Sequence, residues 1–327
     1  MAMRTMEGAF QAVGLPSDEE SALATRAAWL YYAGGLTQSE VADRLGVAAA
    51  KAHRLIARAT KAGFVRVFVE GPIGGCIALE DALVARFRLA TCRVVPDLDE
   101  PDLPLRALGV AAASMLREAL ERGQHRVIGL GHGRTMAAAL DTLPRIAAPQ
   151  VRFVSLLGGV PRRFPSGPFD VIHRAAEKTG AEAFLLPVPM IADTAADAAV
   201  LRRQRGVAET LGLAAQATLV LAGIGAITDA AFLPMAGMLH TAELHALRTA
   251  GAAGEMLGRY FMADGAPVGT DLHDRVIATH PRDLHGIVVV AGGTEKTAAI
   301  KAVLSSGLLA GLITDEATAR RLVALTG

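Results

Sequence analysis

Lys51, Arg54, Arg58 and Lys61 stand three, four and three residues apart in AAAKAHRLIARATKAGF. On a helix that spacing gathers four cations on one face. No acidic residue lies between Ala48 and Ala62 to neutralise them. A helix cationic on one side suits phosphate contact and entry into the major groove of DNA. A second set of residues suits a smaller anion. In VIGLGHGRT, Gly131 and Gly133 follow an apolar run and open a helical one. Backbone N–H groups at such a helix start can approach a ligand closely. Arg134 adds charge there, and Thr135 is expected to cap the helix. Gly225 closes LAGIG, and Gly292 and Gly293 close VVVAGG ahead of TEKTAAIKAVL. Thr294 is expected to cap that last helix, which puts Lys296 in its first turn. A lysine in a first turn opposes the helix dipole, and a bound anion would offset that cost. Lys296 is therefore assigned to an anion, and Lys301 to solvent.

The cations need a rigid carrier, and Leu36 to Phe64 reads as a helix-turn-helix. Gln38 opens a short helix, Ala42 permits a close helix crossing, and Gly46 supplies the turn with positive φ. Val41, Leu45, Val47, Ala52 and Leu55 form its small core, and the second helix runs from about Ala48 to Ala62. An earlier helix, ESALATRAAWLYYAGG, starts after Ser17, Asp18 and Glu19 and ends at Gly34 and Gly35. FVRVFVE, after Gly63, alternates like a strand and would form a wing. Gly71-Pro72 marks the end of the domain. Residues 22–69 carry seven Lys/Arg against two acids, whereas the whole chain is only +1. Positive charge is thus concentrated where nucleic acid would bind. The expected organisation is a flexible tail over 1–20, a winged helix-turn-helix over 21–71, and an effector and oligomerisation domain over 78–327.

In the second domain, apolar runs alternate with helical stretches. The runs are RVIGL, VRFVSLL, AFLLPV, ATLVLAGI and GIVVVAG. The helices are expected over Leu105–Glu121, Thr135–Leu143 and Ala195–Leu211, and PDLDEPDLP is a loop. Continuous apolar strands separated by helices imply a doubly wound α/β domain with a parallel sheet. Ligands of such sheets bind at the carboxyl ends of the strands.

Aromatic residues make up 4% of the chain, which disfavours base-stacking platforms for single strands or RNA. Cys76 and Cys92 alone cannot make a disulfide framework or a four-ligand zinc site. They read as buried thiols in a reducing cytoplasm. No apolar run approaches a membrane span, and the N-terminus lacks the pattern of a secretory signal.

The winged motif together with VIGLGHGRT, GAAGEMLGRYF and AGGTEKTAAIKAVLSSGLLAGLITDEATARRL resembles the SorC family of sugar-responsive bacterial transcription regulators. PFDVIHRAAEKTGAEAFLLPVPMIADT is similar to its polyol branch, which includes erythritol-catabolism regulators. The resemblance spans about Ala22 to Leu325. It implies an effector domain related in fold to sugar-phosphate isomerases and deaminases, and a homo-oligomer, usually tetrameric, on a partly palindromic operator. Carried over by position, it puts a phosphate loop on Gly131, Gly133, Arg134 and Thr135, with Lys296 as a second phosphate contact. It puts the group that reads effector hydroxyls at Glu255, whose plainer reading is an exposed helix carboxylate. His132 stands where many relatives carry a small or aromatic residue. Ala48-Ala49 replaces a Ser-Arg pair common in the family, so base readout falls to Lys51, His53 and Arg54, with Thr37, Gln38 and Arg58 beside them.

An isomerase-like enzyme with an appended DNA-binding module is the rival reading. Asp193, Asp229, Asp271, Asp274, His173, His240 and His280 could supply acid and base, but none has a spacing that specifies chemistry. Isolated ligands in HDR and THP do not make a metal site. A constitutive architectural DNA binder would not need three glycine-ended strands around a cleft. The sequence therefore reads as an effector-controlled, cytoplasmic DNA-binding regulator of a carbohydrate or polyol operon, with no cofactor, metal or catalytic residues. Its partners are operator DNA, a sugar or polyol or its phosphate, and copies of itself.

Overall fold

A computed structural model of the chain describes residues 19–65, 74–98, 103–159, 171–235 and 237–325. The tail to residue 18, the wing residues 66–70, the Gly71-Pro72 boundary and part of PDLDEPDLP lie outside them. The chain divides into two compact units between positions 69 and 70.

The first unit holds α1 (Glu19–Ala28), α2 (Gln38–Leu45) and α3 (Ala49–Lys61). A π-helical turn, Trp29–Ala33, extends α1 and leaves Trp29 67% exposed. Thr37 and Glu40 start α2 with a capping box. Gly46 stops that helix with φ +65°. Val41, Ala42, Ala52, Leu55, Ile56 and Ala59 are buried against Ala24, Ala27 and Ala28, while Leu45 and Val47 pack at the rim. The small residues let the helices cross closely.

The second unit begins with α4 (Gly74–Phe87), β1 (Thr91–Val95), α5 (Leu105–Arg122), β2 (Val127–Leu130), α6 (Arg134–Thr142), β3 (Arg152–Ser155), α7 (Val171–Thr179) and β4 (Glu182–Phe184). It continues through α8 (Ala195–Arg203), α9 (Arg205–Ala214), β5 (Leu219–Ala222), β6 (Gly225–Ala226), α10 (Phe232–Met235), α11 (Thr241–Thr249), β7 (Ala252–Met256) and β8 (Arg259–Met262). It closes with α12 (Leu272–Arg275), β9 (Ile287–Val290), α13 (Thr297–Ser305), β10 (Gly311–Asp315) and α14 (Glu316–Ala324).

Seven strands form one parallel sheet in the order β1-β10-β9-β5-β2-β3-β4. Every residue of β2, β5, β9 and β10 is buried, which explains their unbroken apolar runs. From β2 the chain winds outward to β3 and β4, then returns to the other flank of β2 as β5. This reversal of winding leaves a crevice beyond the strand ends. A small antiparallel sheet, β6-β7-β8, stands beside it.

Three local expectations are corrected. The stretch Ala195–Leu211 is two helices, because Gln204 takes extended backbone between α8 and α9. Of AFLLPV, only Ala183 and Phe184 pair, on an edge strand. Cys76 is buried but Cys92 only half-buried, and both are free thiols.

Candidate effector and nucleic-acid sites

A cavity of about 410 Å³ opens at the carboxyl ends of β2, β5 and β9, a size that suits a small ligand. Gly131, Gly133, Arg134 and Thr135 line it from the β2–α6 junction. Gly225, Glu255 and Lys296 line it from β6, β7 and the turn after β9. All seven effector residues expected from the sequence therefore face one cavity.

Local backbone explains the shape. Gly133 precedes α6 with φ +118°, a conformation side chains rarely tolerate. No side chain caps α6, so its first N–H groups lack that partner. Thr135 does not cap it; the residue sits buried in the first turn. Arg134 is exposed at the same helix start. After β9, Gly293 precedes a 3-10 turn, Thr294–Lys296, and α13 follows. Thr294 therefore opens that turn and does not cap α13. The loop is pinned by Asp315, whose Oδ1 accepts from the Gly293 N–H at 2.9 Å and whose Oδ2 accepts from the Thr318 N–H at the start of α14.

The charged groups of the cavity lie close together. Gly225 pairs with Glu255 across the small sheet, so Glu255 belongs to a strand and not to a helix. A Cβ on residue 225 would come 2.5 Å from Glu255 Oε2, so only glycine leaves the carboxylate in place. Glu255 Oε1 accepts from the Gly258 N–H at 2.6 Å. Lys296 Nζ donates to the Ile224 carbonyl at 3.0 Å. Burial pushes the Glu255 carboxyl up to about 7, against the opposing pull of the Gly258 N–H and Lys296. Burial, and then the nearby Arg134 charge, push Lys296 down to about 8, while Glu255 opposes that shift. Both groups titrate near neutral pH, so a ligand's charge can set their protonation.

Sequence reasoning missed the apolar wall. Leu157, Met190, Ile224, Leu233 and Leu257 reach the cavity from separate loops, and no local pattern joins them. Glu295, exposed beside Lys296, was also missed, although its place next to the lysine was visible.

None of the acid–base candidates of the rival reading lines this cavity. Asp229 accepts from Arg248 at 2.8 Å, and His280 Nδ1 accepts from the Arg282 N–H at 3.1 Å. His240 precedes α11 as its cap, and His173 is an exposed residue of α7. Among the described residues no group of His, Cys, Asp and Glu could hold a metal ion. No helix among them is long and apolar enough to cross a membrane.

In the first unit, Gln38, Lys51, His53 and Arg54 are exposed. Helical spacing puts Ala50, Arg54, Ala57 and Lys61 opposite the buried residues of α3, with His53 at one side of them. The two alanines would let a DNA backbone approach closely. Two expected DNA contacts have other work. The Thr37 hydroxyl donates to Glu40 Oε2 at 2.7 Å and its N–H does so at 2.8 Å, so both donors serve the cap. Arg58 is half-buried and turns toward α1, where it pairs with Glu20. Replacing Thr37 by alanine is expected to cost about 1 kcal/mol of stability through the lost cap. Thermal melts of the two proteins would read this, and equal melting temperatures would deny the capping role.

The Sugar-bind family model, describing a sugar-binding domain, matches residues 71–324. The erythritol catabolism regulatory protein EryD of Brucella abortus is 48% identical across 94% of this chain and 98% of its own length. The chain belongs to the SorC family of sugar-binding transcriptional regulators. Another relative of this SorC-family chain is the transcriptional regulator LsrR of Klebsiella pneumoniae, 35% identical over 98% of both chains. The fold matches that of the full-length sorbitol operon regulator SorC from Klebsiella pneumoniae, with a TM-score of 0.68 and 23% identity over 94% of this chain and all of that one. This SorC-family protein is a transcriptional regulator and not an enzyme.

Proposed function

We propose that this regulator takes a phosphorylated sugar or polyol in the cavity at the strand ends and uses it to control operator binding by Gln38, Lys51, His53 and Arg54. The observation that carries the reading is the meeting of Arg134, Lys296 and the uncapped start of α6 in one cavity with Glu255. The phosphate lies against the α6 start and Lys296, and Glu255 accepts from effector hydroxyls. The relative named for erythritol catabolism makes a short polyol the first class to try. Residues 21–71 act as the winged reading head and residues 78–327 as the effector and oligomerisation domain. The working form is a cytoplasmic homotetramer that presents paired α3 helices to operator half-sites. The effector makes different contacts in two quaternary arrangements, so DNA affinity changes by the same coupling free energy.

A thermal-shift screen against paired free and phosphorylated sugars and polyols, erythritol and its phosphate included, tests the reading. Ligands that bind the native state raise the melting temperature by mass action. Stabilisation by a phosphorylated member alone is expected. Stabilisation by free polyols alone would remove the phosphate from the cavity.

The affinity for the phosphorylated ligand should depend on pH. A bound anion favours charged Lys296, whose proton leaves at about 8 in the free protein. Affinity is then full below that pH and falls above it, by up to about tenfold per unit. Calorimetric titrations from neutral to alkaline pH would read the slope, and a flat profile would separate Lys296 from the phosphate.

A further inference from the structure

A second cavity, of about 20 Å³, adjoins the first at Glu255. Gly225, Ala226, Ala231, Leu233 and Glu255 wall both cavities. Leu239, Leu244 and Tyr260 of β8 line the small cavity alone. Glu255 and Tyr260 are the polar side chains in this otherwise apolar wall. The space admits one water-sized group.

Tyr260 is 1% exposed, among the largest fully buried side chains. Its ring stacks on His273 with centroids 5.8 Å apart, and its backbone N–H donates to His273 Nε2 at 3.0 Å. The ring is therefore fixed. Its Oη has no hydrogen-bond partner among the described residues. A buried hydroxyl left unpaired is costly, and native interiors pair such groups almost without exception. Burial, together with the Glu255 and Glu243 carboxylates, holds the phenol above its ordinary range, so it remains a donor.

We infer that the small cavity is a site for one hydroxyl oxygen, which accepts from Tyr260 Oη and donates to the Glu255 carboxylate. Tyr260 is thus a positioning residue for Glu255. The oxygen belongs to a resident water or to a hydroxyl of the bound polyol. The second source rests on the proposed effector reading and the first does not. The other groups that set the Glu255 charge are the Gly258 N–H and Lys296, with Arg134 acting on Lys296. Tyr260 Oη holds the bridging oxygen with its own proton turned to Glu255, so loss of the phenol weakens that donation to the carboxylate and raises the Glu255 titration midpoint.

The test is infrared titration of the buried carboxyl band in the full chain, with Glu255→Gln as the spectral blank. Wild type and Tyr260→Phe are compared without ligand and with saturating erythritol phosphate. Phenylalanine keeps the ring and its stack and lacks only the hydroxyl. An upward shift of about half a unit or more, roughly threefold in proton affinity, is expected in the variant. A shift already present without ligand identifies water, and a shift confined to the liganded protein identifies the polyol hydroxyl. An unmoved midpoint in both states overturns the site. Leu244→Phe, which fills the cavity from α11 and leaves both polar groups in place, should give the same shift in the same state. An unmoved midpoint there overturns it as well. Equal binding of erythritol phosphate by wild type and Glu255→Gln would remove Glu255 as the reader of effector hydroxyls and leave the ligand-free result standing.

Discussion

Lys296→Ala is expected to push the response to a phosphorylated effector to far higher ligand concentration and to leave operator affinity unchanged. The side chain reaches into the cavity far enough to bond the Ile224 carbonyl. Burial and the Arg134 charge disfavour its charged form, Glu255 opposes them, and a bound anion would favour that form further. A hydrogen bond to a charged group is worth about 1.5–3 kcal/mol, so ligand affinity should fall roughly tenfold to a hundredfold. The loss also leaves Glu255 without its neighbouring cation, which raises that carboxyl further. The proposed reading face lies on α3 of the first unit, and Lys296 belongs to the second, so operator affinity without ligand is expected to hold. Calorimetry with the phosphorylated ligand and gel shifts without it would read the two halves separately. Unchanged ligand affinity would take Lys296 out of the site.

The second large effect concerns α3. Lys51→Ala and Arg54→Ala should each weaken operator binding about tenfold to a hundredfold, as loss of a base or phosphate contact of 1–3 kcal/mol does. Together they should lower the salt dependence of binding by about two released ions. Both side chains are exposed and neither belongs to the core, so melting temperatures should not move. Arg58→Ala should weaken binding less, because Arg58 is engaged with Glu20 on α1. Unchanged operator affinity of the double variant at low salt would overturn the placement of the reading face on α3.

Much of this was visible in the residues. Gly46 and the small apolar residues around it required a helix-turn-helix, because the constraint on each is local. The unbroken runs of β2, β5 and β9 required buried parallel strands. The glycines after them marked the strand ends. Other features depend on contacts distant in sequence. Arg58 has the right type for DNA contact, but its pair with Glu20 forms only when α1 and α3 assemble. The Thr37–Glu40 cap was a local signal, three residues apart, that the sequence reading passed over. Glu255 was read by resemblance, and its strand was hidden because AAGEM is neither clearly alternating nor clearly helical. The Leu257-Gly258 turn that makes the hairpin was a local signal that could have placed it. Gly225 is meaningful only once β6 has brought it against Glu255.

Trp29 is the sole tryptophan of the chain, and it stands two-thirds exposed on the π-helical turn of the first unit. The cavity belongs entirely to the second unit. Red-edge excitation, where tyrosine does not absorb, therefore reports on the first unit alone. Any change in that emission during a titration with effector is a signal that has travelled from one unit to the other. The native sequence carries its own reporter of allosteric transmission, with no label to attach and no second fluorophore to subtract.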